Sequence, residues 1–214
     1  MARRMTASSV ERSIPASPAA MLHASNLLTY VSLLAGLGAI VAALWYGDRA
    51  VAGMGIALIV VIDTFDGRFA RRFARTAAER AFGVQLDSLA DAVNSGIVPI
   101  AVTAALLRPT TVVGGVLLVA AAFVYLLGVV TRLGFYNLTH EEGEMFIGLP
   151  APAAALTVAT LLLWPLATVA TTILLCGCGV AMLSPSRIPR PKGFGLLLFL
   201  CWPVLVIASH LMRS

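Results

Sequence analysis

Four aspartates stand out in this sequence, two in each of two largely helical runs. Gly67, Ala70 and Arg71 follow Asp63 and Asp66 at offsets of four, seven and eight residues from Asp63. On a helix these positions share one face. Gly83, Asp87 and Asp91 are spaced four residues apart and again share a face. Two consecutive helices therefore each present a pair of carboxylates. Clustered like charges repel and need compensation. Two divalent cations would neutralise four carboxylates, and all-oxygen donors suit hard ions, Mg²⁺ or Mn²⁺ with Ca²⁺ also compatible. Paired metals suit phosphoryl chemistry. Gly67 and Gly83 leave room for a phosphate or nucleotide near the backbone, and Arg71 is placed to grip a phosphate.

The elements that must position these residues are membrane helices. The chain has 214 residues, 59% hydrophobic and only 12% charged, and a mean hydropathy of +0.93. Soluble domains carry roughly 25% charged residues. This composition excludes a disordered chain, a soluble globule and a basic nucleic-acid-binding domain. Apolar runs long enough to span are read at about 26–46, from 50 with a polar inner end, 83–107, 110–131 and 194–212. The stretch 149–183 is 35 residues long with Trp164-Pro165 at its middle. It fits two short helices or one kinked helix, because proline disfavours helix at the residue before it. Charge decides for two. With the amino-terminus inside, all of the 15 basic residues except Arg49, Arg108 and Arg213 fall on the cytoplasmic side, among them Arg187, Arg190 and Lys192. The expectation is an all-α integral membrane protein, a polytopic bundle of six to eight spans with seven favoured.

All of the ten acidic residues except Asp48 lie on the same side or at the inner helix ends. The chemistry is therefore expected at the cytoplasmic face of a cell-membrane protein. Residues 1–21 read as a retained cytoplasmic tail, not a cleaved signal peptide, and 22–214 as one membrane domain. Cys176, Cys178 and Cys201 lie in apolar runs and support neither a disulfide framework nor a zinc site. His23, His140 and His210 show no ligand spacing.

The two aspartate runs resemble the signature of the CDP-alcohol phosphotransferase family, D-x-x-D-G-x-x-A-R followed by G-x-x-x-D-x-x-x-D. The one departure is the spacer: Arg72 to Phe82 is eleven residues, three more than the family pattern. An alternative alignment through Ala74-Arg75 breaks the spacing from Asp66-Gly67, so Arg71 is kept. The resemblance implies displacement of CMP from a CDP-linked lipid by an alcohol. It implies metal coordination by Asp63, Asp66, Asp87 and Asp91, with Asp91 also the general base. It places Gly67, Ala70, Arg71 and Gly83 around the CDP group. Asn26-Leu27-Leu28-Thr29 looks like the family's N-x-L-T element, which brings Thr29 near the phosphates. The resemblance also implies a homodimer.

Further runs are similar to the phosphatidylserine synthase branch of that family: Asp87-Ser-Leu-Ala-Asp91, Arg132-Leu-Gly-Phe-Tyr136-Asn137, and the stretch from Phe146 to Ala155. Gly134 and Asn94-Ser95-Gly96 depart from the branch pattern. The implied substrates are CDP-diacylglycerol and L-serine, in a lipid bilayer and without nucleic acid. A serine site needs a cation for the carboxylate, and Arg132 offers the fork, with Tyr136 and Asn137 beside it; its other role would be a positive-inside anchor. Two rivals remain at this level. One is the same reaction with glycerol-3-phosphate or inositol phosphate as acceptor. The other is a divalent-cation transporter, since intramembrane carboxylates also mark ion paths.

Overall fold

The computed structural model describes residues 17–139, 145–189, 191 and 193–213. The basic tail residues Arg3, Arg4 and Arg12, together with His140, Arg190 and Lys192, lie outside the described residues.

The first helix, α1 (Leu27–Tyr46), ends at Gly47, whose φ of 62° is left-handed, and the chain reverses at once. Asp48 then caps α2 (Arg49–Ala70), accepting from the Ala50 and Val51 amides at 2.9 and 3.0 Å. Helix α3 (Ala77–Asp91) starts earlier than the apolar pattern suggests. Thr76 and Glu79 form a reciprocal capping box, which turns the end of the basic stretch into helix. After Asp91 the helix passes through a π-helical turn, Ala92–Ile97, into α4 (Val98–Leu106). Helix α5 (Val112–Thr139) runs eight residues beyond the expected end, so Arg132, Tyr136 and Asn137 are helical.

The ambiguous stretch divides as the charge argument expects. Helix α6 (Ala151–Leu161) and helix α7 (Thr168–Leu183) flank Trp164-Pro165. Helix α8 (Phe194–Leu211) follows. Five helical segments are long and apolar enough to cross a membrane: Ala24–Tyr46, Arg49–Ala70, Ala77–Leu106, Val112–Thr139 and Phe194–Leu211; α6 and α7 are shorter. The architecture is the expected all-helical polytopic bundle.

Helix α2 is central, packing against α1, α6 and α8, while α5 pairs with α7. Close approach of α5 and α7 depends on two glycines: a Cβ on Gly128 would lie 2.7 Å from the Gly179 carbonyl oxygen. Two short strands, β1 (Met145–Ile147) and β2 (Arg187–Pro189), pair antiparallel and tie the α5–α6 and α7–α8 connections together. Gly148 closes this pairing. Its φ is 71°, its amide donates to Ser186, and a Cβ would stand 2.2 Å from the Met182 carbonyl oxygen. Gly148→Ala is expected to destabilise the fold by at least about 1–2 kcal/mol, the cost of left-handed backbone alone. Thermal unfolding of the detergent-solubilised protein checks it; an unchanged Tm would show that the loop relaxes without cost.

Candidate active site

The carboxylates meet where the end of α2 faces α3. One oxygen each from Asp63, Asp66 and Asp87 lies within 4.8 Å of the others, and all three residues are half-buried. Asp91 stands beside Asp63, and Asp87 beside Asp66. Among the described residues, Arg68, Arg71 and Arg72 form no ion pair with any of the four. A salt-bridge cluster with Arg68, Arg71 and Arg72 is therefore not what the sequence builds. Convergent oxygen donors fit hard divalent ions.

The cluster divides two cavities. A polar one of about 180 Å³ lies on the Asp66–Asp87 side. Thr29, Gly67, Ala70, Arg71 and Gly83, drawn from three helices, all line it. So do Ser25, Asn26, Arg75 and Val84, which the motif reading did not single out. Arg75 comes from the lengthened spacer and is half-buried. Asn26 is 4% exposed, and its amide nitrogen has no hydrogen-bond partner. A Cβ on Gly83 would press on this floor, 3.3 Å from Asn26 Oδ1 and 3.5 Å from Arg75 Nη1. The rejected alignment had pointed at Arg75; the fold brings both arginines to one cavity.

The second cavity, about 650 Å³, opens on the Asp63–Asp91 side. Asp63, Asp91 and Arg132 form its charged end, and its walls are mainly apolar, with Phe146, Leu149, Phe199 and Trp202 among them. Arg132 is 8% exposed. Its guanidinium lies 4.6 Å from the Tyr136 ring centre and 5.5 Å from that of Phe146. Tyr136 does not line the cavity: its hydroxyl is bonded to the backbone of Ile147 on β1. Asn137 accepts from the Ser88 hydroxyl at 3.1 Å, bracing α5 against α3. Both residues thus support the site from behind.

The family model described as CDP-alcohol phosphatidyltransferase matches residues 22–183, from before α1 to the end of α7. The chain belongs to the CDP-alcohol phosphatidyltransferase family. Similar members of this family include the CDP-diacylglycerol–serine O-phosphatidyltransferase of Mycobacterium leprae, 39% identical over 77% of this chain and 57% of the relative. The protein of the same name from Mycobacterium tuberculosis is 36% identical over 64% of this chain and 48% of the relative. An archaetidylserine synthase of Methanothermobacter thermautotrophicus is 28% identical over 82% and 69%. The chain spans about half the length of the mycobacterial relatives it matches. The matched region contains both aspartate pairs, Arg75 and Arg132.

Proposed function

We propose that this protein transfers a phosphatidyl group from CDP-diacylglycerol to L-serine, releasing CMP and forming phosphatidylserine. The observation that carries this reading is the acidic cluster standing between a polar, arginine-lined cavity and a larger apolar cavity with one buried arginine. The first suits a nucleotide diphosphate, the second a lipid and a small acceptor. Serine is supported by the similarity to a bacterial CDP-diacylglycerol–serine O-phosphatidyltransferase and an archaeal archaetidylserine synthase.

Asp63, Asp66, Asp87 and Asp91 would hold two divalent cations, Mg²⁺ or Mn²⁺, which supply charge stabilisation to the diphosphate when bound. Arg71 and Arg75 neutralise the phosphate oxygens on the nucleotide side, with Thr29, Gly67, Ala70 and Gly83 shaping the wall. Arg132 orients the serine carboxylate, and Tyr136 and Asn137 hold Arg132 and its helix in place. Asp91 accepts the serine hydroxyl proton. The hydroxyl oxygen bonds to the phosphorus nearest the lipid as the bond to the CMP oxygen breaks. The basic residues Arg68, Arg72 and Arg80 flank this end of the bundle and favour a cytoplasmic location for it. The working unit is taken to be a homodimer, which the mass in mild detergent checks.

The deciding experiment offers purified protein CDP-diacylglycerol and a panel of acceptors, with Mg²⁺ or Mn²⁺, and follows CMP. Serine-dependent release is expected. Release only with glycerol-3-phosphate or inositol phosphate reassigns the acceptor. Absence of release with every acceptor, together with metal flux in proteoliposomes, replaces the enzyme by a transporter. In the same assay Arg75→Ala is expected to raise the KM for CDP-diacylglycerol roughly tenfold, the low end for a charge-assisted contact. Its serine KM should hold; an unaltered KM for the lipid would leave Arg75 a surface cation.

A further inference from the structure

The turn that follows Asp91 is bonded to both sides of the site. In the π-helical turn Ala92–Ile97, the Val98 amide donates to the Val93 carbonyl, five residues back. Four residues on from Ser95 stands Pro99, which has no N–H, so the Ser95 carbonyl needs another donor. The Tyr125 hydroxyl supplies one to Ser95 at 2.8 Å, from a side chain that is 0% exposed. On the other side Asn94 donates to Ser32 Oγ at 2.9 Å, and Ser32 donates to the Thr29 carbonyl at 2.8 Å. Thr29 lines the polar cavity.

Tyr125, Val129 and Arg132 lie at offsets of zero, four and seven residues on α5 and share its inward face. That face rests on the turn: a Cβ on Gly96 would meet Leu126 at 3.2 Å and Val129 at 3.4 Å. The bond from Tyr125 is therefore the polar tie that fixes α5, two helical turns before Arg132, against the segment that begins at Asp91. A phenylalanine would fill the same volume without the tie.

We propose that Tyr125 is a positioning residue that sets Arg132 relative to Asp91 through its bond to the Ser95 carbonyl, and so sets the acceptor against the group that deprotonates it. The inference rests on the serine-transfer reading above. Reactions that depend on two groups held together are sensitive to ångström displacements.

The test is steady-state kinetics on the full chain, purified in detergent, for Tyr125→Phe, Arg132→Ala and the double variant. Tyr125→Phe is expected to raise the serine KM, and so lower kcat/KM for serine roughly tenfold, while the KM for CDP-diacylglycerol stays within about twofold. In the Arg132→Ala background the same change should cost little more, because the two residues act on one contact. Equal losses toward both substrates, an unchanged kcat/KM for serine, or losses that multiply in the double variant each overturn the proposal. A general loss of folded protein lowers kcat and leaves both KM values in place, so it cannot imitate a rise in the serine KM alone. If Arg132→Ala leaves serine kinetics untouched, the route through Arg132 fails while the serine reading stands; that reading fails only if the unaltered chain shows no serine-dependent CMP release. Gly96→Ala is the second variant. It pushes α5 from the turn without touching Tyr125 and is expected to give the same split; an unaffected serine kcat/KM there also counts against the proposal.

Discussion

Asp91→Asn is expected to lower turnover by roughly 10²- to 10⁴-fold, the usual contribution of a positioned base, while binding of the CDP-lipid survives. The four aspartates are not equivalent in the fold. Asp66 and Asp87 face the polar cavity, whereas Asp63 and Asp91 face the larger one. Only the latter pair is placed to meet an acceptor hydroxyl. Asp63 also belongs to the tight trio of carboxylates, within 4.8 Å, so its loss should weaken metal and nucleotide binding together. Asparagine keeps the shape of Asp91 and one oxygen donor but removes its capacity to take a proton. Single-turnover CMP release compared with equilibrium binding of the donor lipid separates the two roles. Loss of donor binding in Asp91→Asn as complete as in Asp63→Ala would falsify the assignment of a base.

Arg132→Ala is expected to raise the serine KM by roughly 10- to 150-fold, the range for losing charge-assisted hydrogen bonds of about 1.5–3 kcal/mol. Donor-lipid binding should change little, because Arg71 and Arg75 serve that side. The site is built for a planar cation: the guanidinium lies against Tyr136 and Phe146, and Tyr136 is itself fixed to the β1 backbone. Arg132→Lys should therefore restore only part of the loss, since an ammonium provides neither the fork nor the flat face. Initial rates across serine concentration, for all three forms, give the answer. If serine KM is unchanged in Arg132→Ala, Arg132 is an anchor of the bundle.

The helical offsets of Asp63, Asp66, Asp87 and Asp91 were legible because spacing within one helix is a local property. The division of 149–183 was legible because proline is a local breaker and charge fixes the sides. The start of α3 was missed although Thr76-x-x-Glu79 is a readable capping signal; the arginines on either side of it made the segment resemble a connection. The end of α5 was missed because Arg132 and Asn137 look like a polar terminus, whereas in the fold they are helical and contact β1 and α3. Arg75 could not be assigned from spacing, since its place in the cavity depends on the path of the lengthened spacer. That Tyr136 is bonded to Ile147 and does not line the cavity is a tertiary fact.

The π-helical turn also bears on how related chains should be compared. It amounts to one residue inserted into a helix. Deleting one residue between Ala92 and Ile97 would restore an unbroken α-helix and leave Asp87 and Asp91 on about their present face relative to α4, because the wide turn already absorbs the extra residue. In an alignment, a one-residue gap at this place is therefore compatible with an intact aspartate signature, and marks instead a change in how the segment after Asp91 is tied to α5.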